Sequence, residues 1–102
     1  VLKLADLVQA TDGQVVSKTL AQNKYVSITV FAFSKGEEIS THESDGDALV
    51  TVLEGTGKFI VDGKEYVLNA GESVVMPARK PHSVHAIESF KMQLTVVFPL
   101  ER

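Results

Sequence analysis

From Tyr25 to Phe33 the chain reads Tyr-Val-Ser-Ile-Thr-Val-Phe-Ala-Phe, a run rich in β-branched and aromatic residues and too uninterrupted for a loop. It predicts a buried strand, closed by Gly36. Leu49 to Leu53 is a second strand, ended by Glu54-Gly55-Thr56-Gly57. Lys58 to Val61 and Lys64 to Leu68 flank Asp62-Gly63, and an Asp-Gly pair between two β runs predicts a hairpin, because a type I′ turn needs positive φ. Asn69 to Glu72 is a further turn. Ser73 to Met76 is a short strand stopped by Pro77, Pro81 marks the entry to Ser83–Ile87, and Phe90 to Phe98 is the last long strand before Pro99. Turns recur every eight to twelve residues and no amphipathic helix is evident after residue 20, which predicts an all-β sandwich or barrel. Phe31, Phe33, Phe59, Phe90 and Phe98 fall at strand positions and are assigned to the core. The opening segment Leu2 to Val8 has apolar residues at several spacings and reads equally as a short helical turn or a docking strand. Residues 1–24 as a whole are read as N-terminal strands or a docking arm.

Composition narrows the function classes. The 102 residues contain no cysteine and three histidines, with 10 basic and 13 acidic side chains for a formal charge of −3. This length suits one domain, expected to span residues 1–102, and leaves no room for separate nucleotide-binding and catalytic domains. Without cysteine there is no disulfide framework, zinc ribbon, iron–sulfur cluster or thiol nucleophile, so only His, Asp and Glu are left to hold a metal. No basic block offers a footprint for nucleic acid or an anionic membrane, and neither is expected as a partner. No apolar run approaches the roughly 18 residues of a membrane span, and Val1 to Ala10 lacks the regions of a signal peptide. A cytoplasmic protein is the expectation.

Two segments carry the candidate chemistry. The first runs from Gly36 through His42, Ser44 and Ala48 to Gly55, and the second from Gly71 through Pro77 and Arg79 to His82. Over roughly residues 25 to 98 they resemble the two motifs of the cupins, and in detail a branch of small single-domain cupins. The resemblance implies a cupin-type β-barrel, a double-stranded jelly roll. In metal-binding cupins the first motif supplies His, His and Glu and the second supplies a further His. Laid on this chain, His42 and His82 keep their positions, whereas Ser44 replaces the second histidine and Ala48 the glutamate. Arg79 stands where the family has glycine, and Ala86 where it has asparagine. The resemblance therefore strengthens the architecture more than any activity.

The residues permit a reading of their own. His42 and Ser44 are two apart, so on a strand they project from one face, and Ala48 and Val50 line the same cavity if pairing keeps phase. His82, at the start of a strand, can be brought opposite His42. Two imidazoles make a marginal metal site, since a stable mononuclear site normally takes three or four protein ligands. His85 is a third candidate, but an unbroken strand sends it to the face opposite His82, and only a bulge reverses that. Glu43 is expected to point outward. Asp47 enters the site with a one-residue shift, or lies in a solvent turn with Gly46. Met76 and Met92 are gap fillers or an adaptable pocket wall. Ser44 is read as a hydrogen-bonding group of the pocket, because no Asp/His relay accompanies it. Arg79 and Lys80 either attract an anionic ligand at the entrance or are solvated in a Pro-bounded turn.

The expectation is thus a pocket lined by His42, Ser44, Ala48, Val50, Met76, His82 and Met92 that binds a small organic ligand. A divalent metal (Mn, Fe, Ni or Zn) on His42 and His82 is either present or absent. The alternative is a metal-dependent enzyme of the dioxygenase or isomerase type acting on a small polar substrate. Replacement of two of the four expected ligands favours the binding module. A barrel of this size also leaves strands before His42 exposed, so a homodimer is expected, with Val15–Phe33 as the candidate surface.

Overall fold

The computed structural model describes residues 1–100. A single 3-10 turn, Leu4–Leu7, precedes nine strands: β1 (Val15–Gln22), β2 (Val26–Phe33), β3 (Glu38–His42), β4 (Asp47–Glu54), β5 (Thr56–Val61), β6 (Lys64–Asn69), β7 (Ser73–Met76), β8 (His82–Ala86) and β9 (Phe90–Val97). The opening segment therefore takes the helical alternative. The predicted strands are present within one or two residues at most ends. β1 and β3, which the hydrophobic pattern had not delimited, are added.

The strands form two antiparallel sheets in the orders β1-β2-β9-β4-β7 and β3-β8-β5-β6. Chain order and sheet order differ because successive strands cross from one sheet to the other, which makes the sandwich a jelly roll. Alternation decides which side chains face inward. In the first sheet Phe33 lies opposite Phe90, Val52 opposite Met92 and Ala48 opposite Val96. In the second, Gly57, Phe59 and Val61 lie opposite Ala86, Val84 and His82. These inward sets mesh into one core, with Phe33 stacked on Phe90 at 4.6 Å between ring centroids and Phe59 edge-on to Phe90 at 6.1 Å. Phe31 and Phe98 pack against it half-buried. The β5–β6 hairpin turns on Asp62 (φ 50°) and Gly63 (φ 79°), the two left-handed residues that a type I′ turn requires.

The outer face of the five-stranded sheet carries a second apolar cluster. Val8, with Leu4 and Leu7 from the 3-10 turn, lies over Val30, Ala32, Val16, Leu20 and Leu53. Lys91 latches this arm, its Nζ donating to the Ala5 carbonyl at 2.6 Å and lying 3.5 Å from Glu54 Oε1. Part of the Val15–Phe33 surface expected to meet a second copy is thus covered by the chain's own N-terminus. Among the described residues no helix is long and apolar enough to cross a membrane.

Candidate functional site

The ends of β3 and β7 and the starts of β4 and β8 lie at one end of the sandwich, where the β3–β4 and β7–β8 connections meet. Arg79 N–H donates to the Ser44 carbonyl at 2.7 Å, and Ala78 N–H donates to Asp47 Oδ1 at 2.8 Å, so the two connections are tied together. The pairing of β3 with β8 shifts register between Ile39 and His42, which sets His42 directly opposite His82. The two rings meet edge to face, 4.2 Å between centroids and 68° between planes, with Nε2 to Nε2 at 3.0 Å.

Each ring is fixed in the same way from behind. His42 Nδ1 lies 3.0 Å from the Ser40 carbonyl, and His82 Nδ1 lies 3.1 Å from the Lys80 carbonyl. A carbonyl oxygen only accepts, so both Nδ1 atoms carry hydrogen and, in neutral rings, both Nε2 atoms present lone pairs. Burial is the main influence that holds His82 below the usual histidine range; the Lys80 carbonyl opposes it and the neighbouring His42 adds to it. At neutral pH His82 is therefore uncharged, and its Nε2 is an acceptor aimed at a second nitrogen. The 3.0 Å contact becomes an N–H···N hydrogen bond only when one ring takes a second proton. In all other states the pair is a convergent acceptor that favours a shared donor or a Lewis acid.

Two nitrogens in adjacent positions on one ion, each bonded at about 2.1 Å, lie about 3.0–3.4 Å apart. His42 and His82 match that edge, and their Nδ1–carbonyl bonds are of the kind that orients metal-binding imidazoles. Among the described residues, however, no group of three or more His, Cys, Asp or Glu side chains converges. The donor set does not fit a tightly held resident metal; it fits two positions of an ion whose other positions come from water or from a bound molecule.

The remaining predicted residues are dispersed. Ser44 lies beyond the end of β3, in the turn, where its Oγ accepts the Gly46 N–H at 3.2 Å. The strand geometry expected for the His42/Ser44 pair ends two residues before it, at His42. Ala48, Val50, Met76 and Met92 are buried in the core, Met76 at 3% and Met92 at 1% exposure, where they pack against the phenylalanines. Glu43 is exposed. Asp47 is spent on the β7–β8 turn through Ala78 rather than on the histidines.

β8 is unbroken, so His85 points away from His82. On the outer face its Nε2 is 3.0 Å from Ser83 Oγ and its Nδ1 is 2.9 Å from Glu38 Oε2. The order Ser, His, Glu is that of a hydrolytic relay, but Ser83 is only 3% exposed and out of a substrate's reach. This cluster ties edge strand β3 to β8. Its existence depends on the Glu38-to-His85 register, which no local sequence signal encodes.

Open cavities also lie among the described residues, two of them not lined by His42 or His82. The larger, about 550 Å³, lies at the same end of the molecule and includes Tyr25, Asp45, Asp47, Arg79 and Val97 in its walls. The smaller, about 290 Å³, includes Asp62, Tyr66 and Lys80, and Lys80 Nζ reaches Asp62 Oδ2 at 3.9 Å. Sequence reasoning had no means of finding the first, because its walls come from strand ends far apart in the chain. Arg79 adopts φ 62°, left-handed for a residue with a Cβ, at the position where the sequence comparison expected glycine.

The family model described as "Cupin domain" matches residues 29–98. A conserved protein of unknown function from Streptococcus pyogenes is 43% identical, with a TM-score of 0.93 over 97% of this chain and 87% of that one. A cupin superfamily protein from Desulfitobacterium hafniense is 34% identical, with a TM-score of 0.92 over 96% and 90% of the two chains. A cupin 2 conserved barrel domain protein from Leptotrichia buccalis is 45% identical, with a TM-score of 0.92 over 94% of this chain, which spans about half (47%) of that one. Among curated proteins none matches. The matched domain and the jelly roll agree, and the chain belongs to the cupin family.

Proposed function

We propose that the His42/His82 pair is the contact point of a small-molecule binding module. The supporting observation is the convergence of two backbone-oriented Nε2 atoms at 3.0 Å, with His42 exposed and His82 5% exposed. A ligand hydroxyl, carboxylic acid or protonated amine that donates between the two nitrogens replaces an acceptor–acceptor contact with a hydrogen bond. The recognised molecule is small, polar and a hydrogen-bond donor. No bond is made or broken in this reading, because among the described residues no further His, Asp or Glu side chain converges with the pair.

A second reading rests on the same distance. A divalent ion (Mn, Fe, Ni or Zn) carried in by a chelating molecule takes the two nitrogens as adjacent ligands, and such an ion polarises the oxygens of the molecule that brings it. That reading contains the metal-dependent dioxygenase or isomerase alternative. Elemental analysis of untagged protein, repeated on the His42→Ala/His82→Ala double variant, separates the two. Metal-free wild type supports the binding module; stoichiometric metal that disappears in the variant overturns it in favour of the ion. We also propose that the chain works as a homodimer through the outer face of its five-stranded sheet.

A further inference from the structure

The cavity of about 550 Å³ beside the histidine pair has a charge pattern of its own. Its apolar wall includes Tyr25, Val97 and Pro99. That wall is held by backbone bonds: Phe98 N–H donates to the Tyr25 carbonyl at 2.8 Å, and Asn23 Oδ1 accepts from both Tyr25 N–H (2.7 Å) and Val26 N–H (3.0 Å). Arg79 and two carboxylates, Asp45 and Asp47, complete it. Arg79 is held at its backbone by the bond to Ser44, and among the described residues it forms no ion pair. Asp47 commits one oxygen to Ala78 N–H and keeps the other.

Arg79, Asp45 and Asp47 line the cavity together with apolar side chains, and Lys24 Nζ lies 5.1 Å from the centre of the Tyr25 ring, so a singly charged ligand meets both signs of charge. A plain carboxylate meets Arg79 but also both aspartates, and a plain amine meets the aspartates but also Arg79. A molecule carrying both charges satisfies each side, and the volume lies within the range of small-molecule sites. We propose that this cavity binds a small zwitterion with an apolar body, of the class of the aliphatic and aromatic amino acids. Its carboxylate lies on Arg79, its ammonium on Asp45 and the uncommitted oxygen of Asp47, and its side chain on Tyr25 and Val97. The site is separate from the His42/His82 pair and stands or falls independently of it.

Three probes of one shape test this: L-phenylalanine, 3-phenylpropionate and 2-phenylethylamine, titrated into the full chain and followed by amide proton–nitrogen NMR shifts. Phenylalanine is expected to shift Tyr25, Val97 and Ala78 saturably. Each singly charged analogue should bind about tenfold more weakly or worse, the size of one charge-assisted hydrogen bond. Arg79→Gly is the matched variant, since glycine accepts the positive φ and removes the guanidinium together with the rest of the side chain. It should cost phenylalanine about tenfold and leave 2-phenylethylamine unchanged or improved. Asp45→Asn should weaken phenylalanine and spare 3-phenylpropionate. Equal binding of all three probes, absence of saturable shifts at these residues, or unchanged phenylalanine affinity in Arg79→Gly overturns the proposal.

Discussion

His82 is the residue whose protonation couples the site to stability. Its folded pKa lies below the ordinary value of 6.5, chiefly through burial. Above that value His82 is neutral in both folded and unfolded chains, and the protein keeps its full stability. As pH falls, the unfolded chain takes up the proton first, and stability declines until pH has passed the lowered folded value. Chemical denaturation at pH 7.5 and pH 5 should therefore give a lower unfolding free energy at pH 5, and His82→Gln should flatten that difference; a variant with the same slope would place the titration elsewhere. Arg79 makes a prediction of opposite sign. Its left-handed φ costs about 1–2 kcal/mol in a residue with a Cβ. Glycine removes this but restores about 0.5–1 kcal/mol of unfolded-chain freedom. Arg79→Gly should thus raise stability by about 0.5–1 kcal/mol in urea melts, and a loss would mean that the guanidinium holds the connection together. Sequence spacing identified His42 and His82 as a pair. It did not reveal that each Nδ1 is turned back onto a carbonyl two residues earlier, because that depends on where β3 bends and β8 begins.

At the level of elements, the β5–β6 hairpin was fully legible, since Asp62-Gly63 specifies its turn and the flanking runs are β-branched or aromatic. β3 was not. Glu-Ile-Ser-Thr-His buries only part of Ile39, as befits an edge strand with one neighbour, so no alternation marks it. β1 was obscured for the same reason, being the opposite sheet's edge with a bulge between Thr19 and Ala21. Ser44 lies past the end of its strand, which stops at His42, whereas Ala48 and Val50 face inward as the alternation implies. Two glycines test how tightly the connections are built. Gly63 and Gly55 both have positive φ, but a Cβ at Gly63 meets nothing within 4 Å, whereas one at Gly55 falls 2.2 Å from the Ser89 carbonyl. Gly63→Ala should cost about 1–2 kcal/mol, the backbone strain alone. Gly55→Ala adds a clash with main chain that cannot rotate away, and should cost about 3 kcal/mol or more in the same thermal or urea melts. Equal losses would show that the β4–β5 turn moves aside freely.

The whole molecule has a radius of gyration of 13.0 Å, that of a compact chain of this length, yet it leaves apolar surface uncovered on one side. The N-terminal arm protects the outer face of the five-stranded sheet over β1, β2, the start of β9 and the end of β4. Beyond the arm, Leu49 (43% exposed) lies directly opposite Val75 (58%). These two side chains are neighbours across hydrogen-bonded strands, so they form an adjacent apolar pair rather than scattered apolar residues. A second copy of the same face is the simplest cover, because a two-fold interface buries the same patch twice with one set of residues. Sedimentation velocity at micromolar concentration should give a dimer. The double variant Leu49→Lys/Val75→Lys should give a folded monomer with unchanged far-ultraviolet circular dichroism, since both side chains point out of the core and lysine charges would face each other across the axis. A wild-type monomer would refute the homodimer outright. A variant that stays dimeric would move the interface to the free edge of β1, where unpaired backbone groups offer the other route to self-association.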